Sequence, residues 1–174
     1  MVLQYSTKVV NFGWIYYRDM SGEARDFGIL LGLAYQGFAE ELNSHLAASG
    51  FTGIGASFGY VFRALLEDSL TTSQLAASLR ITPQGAAKIV ADTVATGYVE
   101  RRSDPADARA RRLHLTDRGQ SAVATARRFH STYERRLADA YGAPSVAVLR
   151  QILTAVVERD PTATNAAARF LRPL

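Results

Sequence analysis

The sequence contains no cysteine among its 174 residues. Disulfides, thiolate metal sites and thiol redox sensing are therefore excluded. The missing disulfides fit a reducing compartment, and we expect a cytoplasmic location. No apolar run is long enough to cross a bilayer, so we expect no contact with a membrane. We also expect no signal peptide, because the N-terminus lacks a charged lead into an apolar stretch and a cleavage site.

The motifs of common enzyme classes are also missing. The three histidines, His45, His114 and His130, fall in separate predicted elements and have no paired spacing for a metal. The glycines of residues 50–59 follow no strand and precede no lysine, so they do not form a phosphate-binding loop. No serine lies in a Gly-x-Ser-x-Gly elbow. We therefore expect no enzymatic activity, no metal site and no cofactor.

Lysine is scarce, and eighteen of the twenty basic residues are arginines. Residues 1–96 hold six basic and eight acidic side chains, whereas residues 97–174 hold fourteen basic and eight acidic ones. The net charge therefore changes from −2 in the first part to +6 in the second. A basic half on a small protein indicates an anionic partner, with nucleic acid as the leading candidate. An arginine-rich composition without such a partner is the alternative.

Apolar periodicity predicts a mostly helical chain. After an N-terminal extension of open origin (residues 1–23), residues 26–49 predict a helix that Gly50 ends as a C′ glycine. A second helix is predicted over residues 55–68, and two more follow the basic segment, over residues 116–141 and from Ser145 to about Arg159. The inward residues of the second helix are predicted to be Phe58, Val61, Phe62, Leu65 and Leu66.

Two shorter helices between residues 71 and 97 carry clear start and stop signals. Thr71 and Gln74 have the spacing of a capping box at the start of the first. After a short break, Thr82 is an N-cap and Pro83 occupies the first helical position, where its missing N–H costs nothing. Gly97 ends the second helix. The pattern predicts a helix-turn-helix, with a purely structural helical hairpin as the alternative.

The second of these helices has an outer face of small, uncharged or basic residues. Such a face lets the backbone approach a DNA groove, whereas a solvated structural face is usually crowded with charges. Gln84 can pair with a base edge, and Lys88 can reach a phosphate or a guanine. The candidate DNA-binding residues of the helix-turn-helix are Thr72, Thr82, Pro83, Gln84, Gly85, Ala87 and Lys88.

Two short alternating segments follow, around a turn led by Asp104 and Pro105. In the second segment, Leu113 and Leu115 are predicted to point inward. A charged hairpin next to a recognition helix can follow the DNA backbone and place an arginine in a narrow minor groove. The candidate DNA-binding residues of this hairpin are Arg101, Arg109, Arg111 and Arg112, with Asp107 supporting the loop that carries Arg109.

Residues 70–119 resemble the multiple-antibiotic-resistance-regulator (MarR) family of winged helix-turn-helix regulators. The most specific part is "VERRSDPADARARRLHLT", in which Asp107-Ala108-Arg109 matches the family's Asp-x-Arg wing signature. The sequence departs from the family at Ala108, where a second arginine is common, and at Arg80, which is often glycine. It departs again at Ala87, which is often serine or threonine. These departures concern operator affinity and sequence preference.

The resemblance implies a mainly α fold with a small β wing. A winged helix-turn-helix domain (residues 51–119) would sit on a helical dimerisation region (residues 24–50 and 120–174) of a homodimer. The implied function is sequence-specific DNA-binding transcriptional regulation, as a repressor on a pseudo-palindromic operator in double-stranded DNA. A small aromatic or phenolic effector would release the DNA. The alternative is a dimeric helical protein-interaction module that does not bind DNA.

Four aromatic residues are candidates to line an effector pocket. Positions in the hydrophobic core explain the same residues, and we favour that interpretation. They are Tyr35, Phe38, Phe58 and Phe62.

Overall fold

The computed structural model describes residues 26–104 and 110–159 of the chain. Its elements, in order, are α1 (Phe27–Ala48), α2 (Phe58–Glu67), α3 (Thr72–Leu79), α4 (Pro83–Ala95), β1 (Val99–Ser103), β2 (Arg111–Leu115), α5 (Asp117–Tyr141) and α6 (Ala143–Arg159). This confirms the prediction of a mainly helical fold with a small β wing. None of the described helices is both long and apolar enough to span a membrane.

The described residues divide into two compact units, one formed by residues 26–42 and the other by the described residues from 43 onward. The first contains most of α1, whose apolar side chains are largely exposed: Phe27 is 73% exposed and Tyr35 57%. The last turns of α1 belong to the second unit and end in a Schellman arrangement. The Gly50 N–H bonds to the Ala47 carbonyl at 3.0 Å, and the Phe51 N–H bonds to the Leu46 carbonyl at 2.9 Å. Gly50 has a φ of +85°, which confirms its predicted role as the C′ residue.

The second unit has one hydrophobic core, to which α2, α3, α4, both strands and α5 contribute. Its fully enclosed side chains, each 0% exposed, include Val61, Leu75, Val90, Tyr98 and Leu113. Residues three and four apart share a helix face, and this spacing explains why α2 buries Phe58, Val61, Phe62 and Leu65.

The prediction that Leu66 points inward was wrong, because this side chain is 41% exposed. At 100° per residue, Leu66 lies roughly 140° around the helix from Val61, outside the buried face. The start of α2 also differs from the prediction. The helix begins at Phe58 instead of Gly55, with Ser57 at the N-cap position.

The helix-turn-helix begins and ends at the predicted residues. The Thr71 hydroxyl accepts from the Gln74 N–H at 3.2 Å, and the Gln74 side chain accepts from the Thr71 N–H at 2.8 Å, which confirms the capping box. Thr82 accepts from the Gly85 N–H at 3.1 Å, with Pro83 at the first position of α4. Gly97, with a φ of +75°, follows the end of α4.

The two strands pair antiparallel, with Val99 opposite Leu115 and Ser103 opposite Arg111. An isolated bridge between Leu70 and Leu113 adds a third short segment to this sheet. Leu113 and Leu115 are buried, as the alternating pattern predicted. The sheet therefore packs one face on the core of the helix-turn-helix.

The last two helices follow without an intervening loop. The Thr116 hydroxyl accepts from the Gly119 N–H at 3.1 Å and so caps α5, as predicted. Gly142 ends this helix, and α6 begins directly at Ala143 instead of at Ser145. Pro144 falls in the first turn of α6, where proline is tolerated because the N–H it lacks would have no helical partner. No residue of α6 is buried.

Gly119 marks the closest approach of α5 to the sheet. A Cβ atom at this position would lie 2.2 Å from the Tyr98 carbonyl oxygen, which is a backbone atom that side-chain rotation cannot move. We expect Gly119→Ala to lower the free energy of unfolding by about 1–3 kcal/mol, as overpacking does in tight cores. Urea titration followed by circular dichroism measures this change.

Gly59 provides the matched control. It lies in the first turn of α2, and a Cβ atom there would meet nothing within 4 Å. Gly59→Ala should be neutral or stabilise the protein by up to about 1 kcal/mol, because alanine is the better helix former. Equal effects of the two substitutions would contradict the close packing at Gly119.

Candidate nucleic-acid interface

The start of α4 presents a face of small and polar side chains to solvent. Pro83, Gln84, Ala87 and Lys88 are exposed, whereas Ala86, Val90 and Thr93 on the opposite face are buried. Gly85 lies between the two faces, and a Cβ atom there would come within 3.1 Å of the Thr82 hydroxyl oxygen. The absence of a side chain at Gly85 therefore leaves room for the hydroxyl that caps the helix. The exposed residues can approach a flat partner or a groove without displacing the core.

The turn between α3 and α4 is held by backbone contacts. Arg80 adopts a left-handed conformation with a φ of +51°, and its N–H donates to the carbonyls of Ala76 and Ala77. A residue other than glycine pays about 1 kcal/mol for this conformation. The Ile81 N–H also bonds to the Ala76 carbonyl, at 3.0 Å. Thr72, at the start of α3, is half-buried beside the capping box.

The strand register divides the wing arginines between the two faces of the hairpin. Directly opposite residues of an antiparallel pair point to the same side. Arg101 is opposite the buried Leu113, and Arg111 is two residues away on that same side. Arg102 and Arg112 are opposite each other on the other side. Arg101 and Arg111 therefore lie on the face of the hairpin that carries the buried Leu113. Arg102 and Arg112 lie on the opposite face.

The exposed arginines have few competing contacts. Arg101 is exposed, and the guanidinium of Arg111, also exposed, donates a hydrogen bond to the Ser103 hydroxyl. Arg102 forms an ion pair with Glu100, and both side chains are well exposed. Exposed ion pairs of this kind contribute little to stability, so each of these guanidinium groups can be drawn to a stronger anion.

Arg112, a candidate DNA-binding residue predicted to meet phosphates or the neighbouring backbone, makes its described contacts within the protein. Its Nε donates to Asp104 Oδ2 at 2.5 Å, and its Nη1 donates to the Ser69 carbonyl oxygen at 2.7 Å. The Arg112 side chain is only 30% exposed, and that of Asp104 only 10%. The sequence did contain a signal for this pair, because Asp104 precedes the turn and Arg112 follows it. Sequence reasoning assigned Asp104 only to the turn.

Arg109 and Asp107, the two residues of the wing signature, lie outside the described residues. Their contacts therefore stay predictions.

The four candidate effector residues fall into two groups. Phe58 and Phe62 are 4% and 5% exposed and pack around Tyr98, with ring centroids 6.2 and 5.7 Å from it. These two positions are those of core residues. Tyr35 and Phe38 lie on α1 in the first unit, where Tyr35 is exposed and Phe38 is half-buried.

Sequence reasoning missed a cleft of about 420 Å³ between the end of α2, the sheet and α5. Leu65, Leu66 and Val123 are among its apolar lining residues, and Arg102, His114 and Arg127 are among its polar ones. The combination of an apolar floor and two guanidinium groups suits a small organic anion. The apolar pattern offered no signal for this cleft, because it predicted that Leu66 points inward.

The histidines do not form a metal site in the described parts of the chain, residues 26–104 and 110–159, where no group of three or more potential ligands occurs. His45 packs against Phe129, with ring centroids 5.4 Å apart. Partial burial, and then the positive charge of Arg63, lower the pKa of His130 below its usual value. His130 therefore does not add to the positive charge at neutral pH.

Comparison with known proteins gives the same domain. Residues 59–110 match the sequence model of the MarR family. No curated protein matches the chain at a significant level.

Solved structures match most of the chain. The reduced form of MarR from E. coli is 23% identical, covers 78% of this chain and 99% of its own, and has a TM-score of 0.60. The transcriptional repressor CouR, bound to a 23-mer DNA duplex, is 21% identical, covers 78% and 99%, and has a TM-score of 0.59. A MepR mutant from S. aureus, bound to an oligodeoxyribonucleotide, is 16% identical with the same coverage and a TM-score of 0.56.

These likenesses establish the fold, and the sequence match runs from α2 to the residue before β2, with the helix-turn-helix within it. The capped helices, the tight turn and the antiparallel wing are the parts that define this domain. Residues 59–110 of the chain thus match the MarR family, and the chain has the winged helix-turn-helix fold of the solved structures to which it is similar.

Proposed function

We propose that the protein is a dimeric transcriptional repressor that binds a pseudo-palindromic operator through α4 and the wing. The observation that carries this proposal is the exposed face at the start of α4, where Pro83, Gln84, Ala87 and Lys88 leave the backbone accessible. An α-helix fits the major groove of B-DNA, and the residues at its N-terminal end contact base edges in helix-turn-helix proteins. CouR and the MepR mutant, both bound to DNA, share this fold.

The remaining predicted contacts surround this face. Thr72 and Thr82, at the starts of α3 and α4, are proposed to donate to phosphates, and such contacts fix the position of a protein on the duplex. Arg101 and Arg111 are proposed to contact phosphates from the wing. Arg109 is proposed to enter the minor groove, where arginine is favoured by the negative potential of narrow A·T tracts. Asp107 is proposed to orient it.

Dimerisation is proposed from the apolar side chains that α1 and α6 leave exposed. On α6, six large apolar residues are 45% to 60% exposed: Val148, Leu149, Ile152, Leu153, Val156 and Val157. On α1, the exposed apolar residues are Phe27, Leu30, Leu31 and Tyr35. Exposed apolar side chains that recur along a helix in this way mark an interface. A two-fold dimer presents two recognition helices, so the half-sites should lie about 10 bp apart.

The substitution Leu153→Asp tests the dimer. A buried carboxylate in an apolar interface is costly, so this variant should shift the protein from dimer to monomer at micromolar concentration. Light scattering coupled to gel filtration measures the mass. Leu66→Asp is the control, because Leu66 has nearly the same exposure (41% against 45%) but lies outside α6. A parent protein that is a monomer at this concentration would contradict the proposal.

Gln84 and Lys88 should affect DNA binding in different ways. A duplex that the parent protein selects from a random-sequence pool serves as the operator. Gln84→Ala should weaken binding to this duplex by about 1–3 kcal/mol and relax the preference at one base pair per half-site, because a bidentate base contact is lost. Lys88→Ala should weaken binding to all sequences and lower the salt dependence of the affinity by about one phosphate contact.

Gel-shift titrations across salt concentrations and against single-base variants of the duplex distinguish the two roles. A uniform loss for Gln84→Ala would make Gln84 a positioning residue. An affinity of the parent protein that does not fall with salt would favour the alternative, a dimeric helical protein-interaction module that does not bind DNA.

The cleft between α2, the sheet and α5 is proposed as the binding site for a small effector. Its apolar floor, with Leu65, Leu66 and Val123, suits an aromatic ring, and its guanidinium groups suit a carboxylate or phenolate. Arg127 has no acidic partner among the described residues, whereas Arg102 is paired with Glu100. Arg127 is therefore the group available to a ligand.

The probe pair 2-naphthoate and 2-naphthamide tests this site, because the two molecules differ in charge but little in shape. Calorimetric titration should show tighter binding of 2-naphthoate to the parent protein. Arg127→Gln should weaken its binding about tenfold, as the loss of one charge-assisted hydrogen bond does.

Arg128→Gln makes the same change in net charge on the neighbouring residue, whose guanidinium donates to the Thr125 hydroxyl at 2.7 Å. This control should bind 2-naphthoate like the parent protein. Equal affinities of the parent and the Arg127 variant would contradict a site in this cleft.

A further inference from the structure

A partly enclosed ion pair lies at the base of the wing hairpin. Arg112 and Asp104 are joined by the Nε–Oδ2 contact, and Arg112 also donates to the Ser69 carbonyl oxygen. The Asp104 side chain is 10% exposed, so solvent screens this carboxylate much less than one at the surface. Surface ion pairs contribute little to structure, but an enclosed pair fixes the geometry of the segments that carry it.

The three groups of this contact belong to three segments. Asp104 follows β1, and its N–H donates to the Ala110 carbonyl at 3.1 Å across the hairpin. Arg112 is on β2. Ser69 lies between α2 and α3, directly before Leu70, whose carbonyl accepts from the Leu113 N–H at 2.8 Å. One guanidinium group therefore joins both sides of the hairpin to the segment that leads into the helix-turn-helix.

We propose that Arg112 is a positioning residue, which acts through Asp104 and Ser69 to hold the wing on the helix-turn-helix, and that it does not bind DNA phosphates. This proposal rests on the proposed DNA-binding function. It has an unusual consequence for Asp104, a carboxylate in the basic part of the chain. Asp104 supports DNA binding, although it carries the same sign of charge as DNA.

A phosphate contact from Arg112 would require its guanidinium to leave the Asp104 carboxylate. Breaking an ion pair that is largely enclosed is unfavourable. Arg101 and Arg111 carry no such cost, because both are exposed and their only described side-chain partner is the Ser103 hydroxyl. The wing therefore divides its arginines between phosphate contacts and internal support.

The direction in which one substitution changes the affinity for DNA distinguishes the two possible roles of Arg112. Asp104→Ala removes a negative charge and releases the guanidinium. If Arg112 positions the wing, this variant binds the selected duplex about tenfold more weakly, within the range by which members of one hydrogen-bond network couple. If Arg112 binds phosphate, the same variant binds more tightly. Asp92→Ala is the control for charge, because Asp92 is an exposed carboxylate on α4 and this variant should bind no more weakly than the parent.

Arg112→Gln and the double variant complete the cycle. Both single substitutions remove the same contact, so the double variant should bind no more weakly than the weaker single variant. The slope of affinity against salt should stay at the parent value in all three variants, because no phosphate contact is lost. A slope lower by about one in Arg112→Gln, or tighter binding by Asp104→Ala, would overturn the proposal.

Hydrogen exchange, measured without DNA, tests the positioning role of Arg112 independently of the proposed DNA-binding function. The Leu113 amide, which bonds to Leu70, should exchange its hydrogen faster in Asp104→Ala and Arg112→Gln than in the parent protein. Circular dichroism establishes that each variant is folded at the temperature used. Unchanged exchange at Leu113 would show that the ion pair does not hold the wing. A parent protein without salt-dependent DNA binding would instead contradict the proposed function.

Discussion

The enclosure of Tyr98 is the constraint on which the arrangement of the winged domain depends. Its side chain is 0% exposed, and its hydroxyl donates to the Thr52 carbonyl at 2.9 Å while accepting from Arg118 at 3.2 Å. A buried tyrosine needs such a partner, because an unpaired hydroxyl in a core is costly. The guanidinium of Arg118 also lies over the ring, 4.8 Å from its centroid. One residue thus links the segment after α1, the core of α2 and the start of α5.

The backbone of Tyr98 extends the same constraint to the sheet. Its carbonyl accepts from the Thr116 N–H at 3.0 Å, and its oxygen would lie 2.2 Å from a Cβ atom at Gly119. The residue that precedes β1 and the residue that caps α5 are therefore held together, with the whole wing between them in the sequence. This closure explains how a hairpin of two five-residue strands, which would be marginal alone, keeps a defined place beside α4.

The local signals of the sequence were sufficient for most of the fold. Thr71, Thr82 and Thr116 each start a helix through contacts within three residues, and such contacts can be read from spacing alone. Leu66 was misassigned because a run of apolar residues does not say where the buried face ends. The outer face of α4 was predicted correctly as exposed, since small residues and Lys88 alternate there with buried ones. Its contacts with DNA depend on a partner that no spacing rule includes.

The roles of the wing arginines could not be separated by sequence, because all of them occur in one dense segment. Distinguishing these roles requires the strand register, in which Arg101 lies opposite Leu113 and Arg112 lies opposite Arg102. It also requires the contact with Ser69, a residue 43 positions away from Arg112. A cation in a DNA-binding segment is read as a phosphate ligand when only composition is known. Arg112 instead forms an ion pair and a hydrogen bond within the protein. The net charge of this segment therefore overstates the number of cationic groups available to DNA.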